Sequence, residues 1–282
     1  MKTSPFKISA IFWRIWIVSV LSLGVGSFFA WRELPLGEFK MWFLDVGQGD
    51  SVLIQTAENH QILVDGGDGE RIIEELSAVM PFFDRSLDMI VLTHPHEDHI
   101  GGLVEVLQKY RVENVLLSGV NNLSGTYDEF LRELIEQDVE FFIAEQLVDF
   151  RFGEVIFDVL YPFEPLLLED FENLNNSSVV VMVHSGEERI LLMGDIEAEI
   201  EELLLAKRVD LKADVLKLGH HGSKTSSGLK FLAKVRPKKA VIQVGAGNSY
   251  GHPSEKVLQN LEAVGVEEVF RTDLDGRIEH PP

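Results

Sequence analysis

The stretch that most limits what this chain can fold into is Thr93-His94-Pro95-His96-Glu97-Asp98-His99-Ile100-Gly101-Gly102, directly after the apolar run Met89-Ile90-Val91-Leu92. Three of the nine histidines and one aspartate fall within the six positions from 94 to 99. Imidazole and carboxylate are the customary ligands of Zn²⁺ and similar divalent ions. Pro95 opposes a regular helix across the cluster, so His94 and His96 are expected on one side of an extended turn. Asp98 and His99 come one short turn later, placed to face a second ion. The plain alternative is a polar loop after a buried strand, but four potential ligands rarely crowd a loop without a metal.

The chain has no cysteine. Thiolate sites and disulfides are therefore excluded, and metal ligands have to be His, Asp, Glu or Asn. A formal net charge of -21 favours solubility and opposes unspecific adhesion to nucleic acid or anionic lipid. With 45% hydrophobic residues in 282, a sizeable core is available. No low-complexity linker follows residue 40, so residues 37–282 read as one globular domain.

Residues 1–36 read differently, as a short tail and a membrane anchor. The run from Ile15 to Trp31 is uncharged, and Ile8 to Phe12 extends it upstream, interrupted by Arg14. A bilayer needs about 20 apolar residues, a length reached with Trp13 and Arg14 at one interface. Arg14 can snorkel there, with Trp13, Trp16 and Trp31 as aromatic anchors. The competing reading is a cleaved signal peptide, but cleavage after Ala30 would put Phe28 where a small residue belongs. Lys2, Lys7 and Arg14 precede the span, against Arg32, Glu33, Glu38 and Lys40 after it. The positive-inside rule then predicts a single-pass protein with a cytoplasmic tail and an extracytoplasmic domain.

Along the domain, strands are expected at 41–46, 51–55, 61–64, 89–92, 114–117, 152–161, 178–184, 189–193, 215–218, 239–244 and 268–272. Helices are expected at 70–79, 103–110, 127–137, 197–205, 229–234 and 254–263, the last capped by Ser254. Runs of strands with interspersed helices imply two mixed sheets with helices outside. Polar clusters repeatedly follow strands: Asp65, the His94 group, Asp195, His220-His221 and His252. Loops at one end of a layered fold converge on a ligand. Each cluster has a plainer reading as well. Asp195 suits a turn or a helix cap, His220-His221 a loop pair, His252 a helix-start residue before Pro253, and His184 a strand end. His60 and His280 are expected in solvent.

These motifs resemble the metallo-β-lactamase fold superfamily, through Asp65-Gly66-Gly67, His94-x-His96-x-Asp98-His99, Gly194-Asp195 and Gly219-His220. More narrowly, the chain resembles the β-lactamase-like domain of ComEC-type DNA-internalisation competence proteins. That likeness lies in Phe43-Leu44-Asp45-Val46-Gly47-Gln48-Gly49-Asp50, Asn175-Asn176-Ser177-Ser178-Val179-Val180, His220-His221-Gly222-Ser223, Tyr250-Gly251-His252-Pro253 and Arg271-Thr272-Asp273. It spans about residues 40 to 278.

The resemblance implies an αββα sandwich, an α/β fold preceded here by one transmembrane helix, with a dinuclear site on its edge. It puts His94 and His96 on one ion, Asp98 and His99 on the other, Asp195 between both, and His220 on the second. His221 becomes a substrate contact, and Asp65 holds a ligand histidine or its loop. Many superfamily hydrolases carry a further histidine where this chain reads Asn173-Leu174-Asn175-Asn176-Ser177-Ser178, a replacement shared by the ComEC-like pattern. It leaves one ion with fewer strong ligands and admits Mn²⁺ as well as Zn²⁺. ComEC proteins carry many membrane spans, and this chain at most one, so it is not itself the channel.

The expected activity is a metal-dependent phosphodiesterase, a nuclease acting on DNA in competence. Two ions stabilise the phosphoryl charge, Asp98 or Asp195 orients the attacking water, and His252 contacts phosphate or protonates the leaving group. Ser223, Lys224, Thr225 and Ser226 are expected to donate to the phosphodiester, with Gln48, Asn175, Asn176 and Asn248 nearby. Most nucleic-acid affinity comes from Lys and Arg. The one dense source is Lys207-Arg208, Lys212, Lys217, Lys224, Lys230, Lys234, Arg236, Lys238 and Lys239. Two other readings remain: a hydrolase of a small phosphoester or other ester, and a catalytically idle metal-binding partner of a separate channel protein.

Overall fold

The computed structural model describes residues 10–32, 37–146, 148–169 and 171–280, and by its contacts the chain forms two units, 1–36 and 37–282. In the first, helix α1 (Ala10–Arg32) is 23 residues long, about 35 Å at 1.5 Å per residue. Its window Ile11–Phe28, of mean hydropathy 1.7, is long and apolar enough to cross a membrane. Trp13 and Trp16 meet edge to face, with centroids 5.7 Å apart. The tail with Lys2 and Lys7, and the side chain of Trp31, lie outside the described residues.

The second unit opens with β1 (Lys40–Phe43), β2 (Val52–Gln55), β3 (Gln61–Val64), α2 (Arg71–Val79), β4 (Ser86–Leu92), α3 (Glu97–Lys109), β5 (Arg111–Leu117), α4 (Gly125–Glu136) and β6 (Glu140–Ile143). Then come β7 (Asp149–Phe152), β8 (Val155–Tyr161), β9 (Val180–Ser185), β10 (Glu188–Leu192), α5 (Ala198–Ala206), β11 (Val215–Lys217), α6 (Leu229–Val235), β12 (Lys239–Ile242), α7 (Glu255–Val264), β13 (Glu268–Arg271), α8 (Thr272–Asp275) and β14 (Ile278–Glu279). Two seven-stranded sheets result, ordered β14-β1-β2-β3-β4-β5-β6 and β13-β12-β11-β10-β9-β8-β7. Each is antiparallel in one half and parallel from its middle outward: β3 to β6 in the first, β10 to β13 in the second.

Period-two alternation builds the layers. In and just after β1, Met41 and Phe43 enter the core between the sheets, while Trp42 and Leu44 join the core beneath α2 and α3. On the other sheet, Val181 and Val183 face inward, whereas Val180 and Met182 pack with residues of α5, α6 and α7. The fold is the αββα sandwich that the motifs implied.

Some boundaries differ from expectation. The expected strand 152–161 is a hairpin, β7 and β8, turning at Gly153 with φ 61°. Helix α3 begins at Glu97, six residues before the expected start, because Pro95 lies just outside its first turn and not within it. Gly101 and Gly102, which precede the expected helix, are inside it. There a Cβ on Gly102 would overlap the Gly66 carbonyl, so the residue serves close packing rather than a turn. His60 and His280 are half-buried and paired, with Asp88 at 2.6 Å and Glu188 at 3.1 Å.

Candidate metal centre

Three loops at strand exits are sewn together by their backbones. Asp50 N donates to Asp98 O (3.2 Å), Gly66 N to His99 O (2.8 Å) and Gly67 N to Asp50 O (2.9 Å). Gly49, at φ 116°, lies against the Asp98 carbonyl, where any Cβ would overlap it. The loop after β1 is thereby locked onto the first turn of α3, which carries Asp98 and His99.

Carboxylates and carbonyls set the tautomers of two buried imidazoles. His99 Nδ1 lies 2.8 Å from Asp65 Oδ2, and Asp65 also accepts from Thr93 N (2.8 Å) and Thr93 Oγ1 (2.7 Å). His221 Nδ1 lies 3.0 Å from Gln243 O and 3.2 Å from Asp50 Oδ1. Both rings therefore turn Nε2 toward one point. His99 Nε2 is 3.3 Å from Asp195 Oδ2, and His221 Nε2 is 3.2 Å from the same oxygen and 3.3 Å from Asp98 Oδ2. His94 and His99 rings lie 4.2 Å apart, and His94 Nε2 is 3.0 Å from His96 Nδ1.

This donor set fits a divalent ion. Nε2 of His99, Nε2 of His221 and Oδ1 of Asp195 are buried yet make no well-directed hydrogen bond, which is costly unless a cation takes the lone pairs. Two overlapping groups, His94-His99-Asp195 and Asp98-His99-His221, bring their ligand atoms within 4.8 Å of one another. Burial holds the His94 pKa well below its ordinary value, leaving the neutral imidazole that ligation needs. Burial would lower His99 and His221 too, but the carboxylates facing them, Asp195 and Asp65 for His99 and Asp195 and Asp98 for His221, together outweigh it, and both are raised. Burial would raise Asp98 and Asp195, yet the adjoining histidines bring both below the usual carboxylate range.

His220 and His221 exchange the places expected of them. Both adopt left-handed backbone (φ 49° and 53°), which turns His221 inward and His220 toward Glu197, 3.2 Å from its Oε1. The buried ring beside Asp98 and Asp195 is therefore His221. The expected phosphate donors are likewise engaged within their own turn, as short polar side chains often are. Ser226 Oγ donates to Gly219 O (2.7 Å) and Ser223 Oγ pairs with Thr225 Oγ1 (3.0 Å), while Lys224 is exposed. Asn176 bonds Glu199 and the amide of Glu197, and Asn248 bonds Gly245 O and His252 on both sides, so each braces a loop.

Two participants are absent from the expected metal-site residues. Asp50 sits behind His221 and His99. Lys217, expected in a basic surface strip, is instead 2% exposed. Its Nζ contacts Asp50 Oδ2, donates to Gly194 O (3.1 Å) and lies 3.8 Å from Asp195 Oδ1; burial pushes its pKa well down, and the two carboxylates facing it are what hold the proton on the amine. The available signal was a lysine within the apolar run Val215-Leu216-Lys217-Leu218, whose cation needs a buried partner.

In front of the cluster lies a cavity of about 320 Å³, reached by His96, Asp98, Asp195, His220 and His221. Gln48, Glu97, Asn175, Tyr250 and His252 complete its wall. Burial lowers the His252 pKa, and His220 adds to the effect, so His252 is neutral at neutral pH.

Residues 44–245 match the family model described as the metallo-beta-lactamase superfamily. The chain is 31% identical over 267 residues to ComE operon protein 3 of Bacillus subtilis, covering 86% of this chain and 33% of that protein. It is 33% identical over 273 residues to Competence protein ComA of Neisseria gonorrhoeae, covering 94% and 35%. It thus spans about a third of the length of these curated relatives. Among solved structures, the metallo-beta-lactamase fold protein YhfI from Bacillus subtilis superposes with a TM-score of 0.54 at 12% identity, covering 82% of this chain and 96% of that one.

Proposed function

The chain belongs to the metallo-β-lactamase superfamily, and from that premise we propose that it is a membrane-anchored, metal-dependent phosphodiesterase that cleaves DNA during competence. The observation that carries the reading is the convergence of buried donor atoms without hydrogen-bond partners on His99, His221 and Asp195. His94, His96, Asp98, His99, Asp195 and His221 are the residues that would hold two divalent ions, Zn²⁺ or Mn²⁺. Bound there, the ions supply Lewis-acid stabilisation of phosphoryl charge and make water acidic enough to attack. Asp65 and Asp50 orient His99 and His221. Asp98, part of the cavity wall, orients the attacking water by accepting a hydrogen bond from it. His252, neutral at working pH, serves as a hydrogen-bond donor to the substrate rather than as a stored proton.

DNA as substrate is supported by likeness to a protein named for competence and by the motif resemblance to DNA-internalisation domains. Helix α1 would tether the domain beside a separate channel protein, and the charge asymmetry around the helix supports an extracytoplasmic domain. A small phosphoester is the second reading, favoured by the cavity's modest size of about 320 Å³.

The test uses the full chain in detergent, loaded with Mn²⁺ or Zn²⁺, against single- and double-stranded DNA and bis-p-nitrophenyl phosphate. DNA cleavage abolished by His96→Ala and Asp98→Ala supports the nuclease. Turnover of the small ester alone supports the second reading, and metal binding without any turnover refutes both.

A further inference from the structure

The cavity wall has the wrong charge for ordinary nucleic-acid binding. It presents the carboxylates of Glu97, Asp98 and Asp195, and no lysine or arginine lines it among the described residues. Proteins normally gain affinity for a strand through cations on its phosphates. Here anything beyond the scissile phosphate has to be held by another kind of contact.

Tyr250 offers one. It is the one phenol ring on the cavity wall among the described residues, and it is 69% exposed. Its ring lies on the His252 imidazole, with centroids 5.9 Å apart and an interplanar angle of 18°. The imidazole thus lies near-parallel to the ring and offset from it, and most of the ring is in water. The loop beneath is braced rather than loose: Asn248 Nδ2 donates to Gly245 O (3.1 Å) and His252 O (2.7 Å), and His252 N donates to Asn248 Oδ1 (3.0 Å). A large apolar ring held in place but left in water at a site's mouth needs a partner with a flat face.

We propose that Tyr250 is a stacking platform for an unpaired nucleobase next to the cleaved phosphodiester, so that the site selects single-stranded nucleic acid by a base face and not by phosphate charge. Bases within a duplex have both faces covered by neighbours, which disfavours double-stranded substrate. The inference rests on the phosphodiesterase reading above and deepens it. His252 then acts as the inner layer of the stack.

The test compares a short single-stranded oligonucleotide with the same strand made of abasic linkages, using the metal-loaded full chain in detergent. Tyr250→Ala should raise KM for the natural strand roughly 5- to 150-fold, the range of one base-aromatic stack. Tyr250→Trp and Tyr250→Phe should retain the wild-type KM. The abasic strand should already be as poor for the wild type as the natural strand is for Tyr250→Ala. A 2-aminopurine base in the strand should lose fluorescence on mixing with wild type and keep it with Tyr250→Ala. Equal wild-type KM for natural and abasic strands, or an unchanged KM in Tyr250→Ala, overturns the stacking while leaving the phosphodiesterase intact. A wild-type protein that hydrolyses a small ester but no strand of any kind overturns both.

Discussion

Replacing Lys217 by Met tests whether the site is built around a buried cation of the protein's own. The side chains of Lys217 and Asp50 are 2% and 4% exposed, so removing the ammonium leaves the Asp50 carboxylate buried and uncompensated. Breaking such a pair costs about 3–5 kcal/mol. For a unit spanning residues 37–282 this lowers Tm by roughly 6 to 20 °C. The ammonium also lies 3.8 Å from Asp195 Oδ1, worth about 4 kcal/mol of attraction at an effective dielectric of 20. Without it, Asp195 and Asp50 keep only the His99 and His221 imidazoles beside them until a divalent ion arrives. The destabilisation should therefore be large in EDTA and smaller with saturating Zn²⁺ or Mn²⁺, so that metal raises Tm more in Lys217→Met than in wild type. Pairing it with Asp50→Asn should recover much of the metal-free loss. Differential scanning calorimetry with and without metal reads all three quantities. Equal metal-induced increments in the two proteins, or a metal-free loss below about 3 °C, would refute the assignment of Lys217 as the cluster's internal counter-charge.

Other perturbations separate neighbouring residues. His221→Ala should lower metal content measured by mass spectrometry, whereas His220→Ala should leave it close to wild type; the reverse would return the ligand role to His220. Gly49→Ala drives a methyl into the Asp98 carbonyl at φ 116°, so it should destabilise by about 2 kcal/mol or more and weaken metal binding, as chemical denaturation and calorimetric titration would register. Burial pushes Glu201 up from 4.5 to about 7, against the backbone N–H groups of Gly228 and Ser227. An acid raised on folding adds stability that is complete below its unfolded pKa and is lost as pH rises through the folded one. The wild type should therefore lose about 3 kcal/mol between pH 4.5 and pH 7 from this group, a slope that Glu201→Gln should remove from urea unfolding curves measured across that range.

The layers and the metal loop were legible because they rest on strong local signals. Alternation in Met41 to Leu44 is the mark of a strand, and ligands crowded at 94–99 directly after an apolar run are the mark of a metal loop at a strand exit. What the sequence concealed depends on contacts between distant positions. The inward turn of His221 is a matter of two left-handed residues in succession, a conformation that the letters His-His do not announce. Asp50 and Lys217 are 167 positions apart, and only the pairing of β10 with β11 brings the lysine under Asp195. The edge strands β6 and β14 escaped notice for a different reason. One carries an exposed Phe141 and the other has two residues, so neither shows the alternation that burial imposes.

The hidden lysine also changes how an acidic domain can meet an anionic substrate. Around the cluster stand Asp50, Asp65, Asp98 and Asp195, four carboxylates against one ammonium, Lys217. With His99 and His221 protonated, as their raised pKa values favour, the metal-free formal charge is four negatives plus three positives, or -1, in a chain that is itself -21; ligation returns both imidazoles to neutral and the protein's own share to -3. Two divalent ions would bring the cluster to +1. On this count the protein repels a phosphodiester until it is loaded, since the cavity wall adds Glu97 and, among the described residues, no lysine or arginine. Strand binding should accordingly require the metal as strictly as cleavage does. Fluorescence anisotropy of a labelled, cleavage-resistant phosphorothioate strand should show no binding in EDTA and binding on addition of Mn²⁺. Its salt dependence should be shallow, because few lysine or arginine contacts release counterions. Equal affinity with and without metal, or a steep salt slope, would mean that the strand is held by a basic surface elsewhere on the protein.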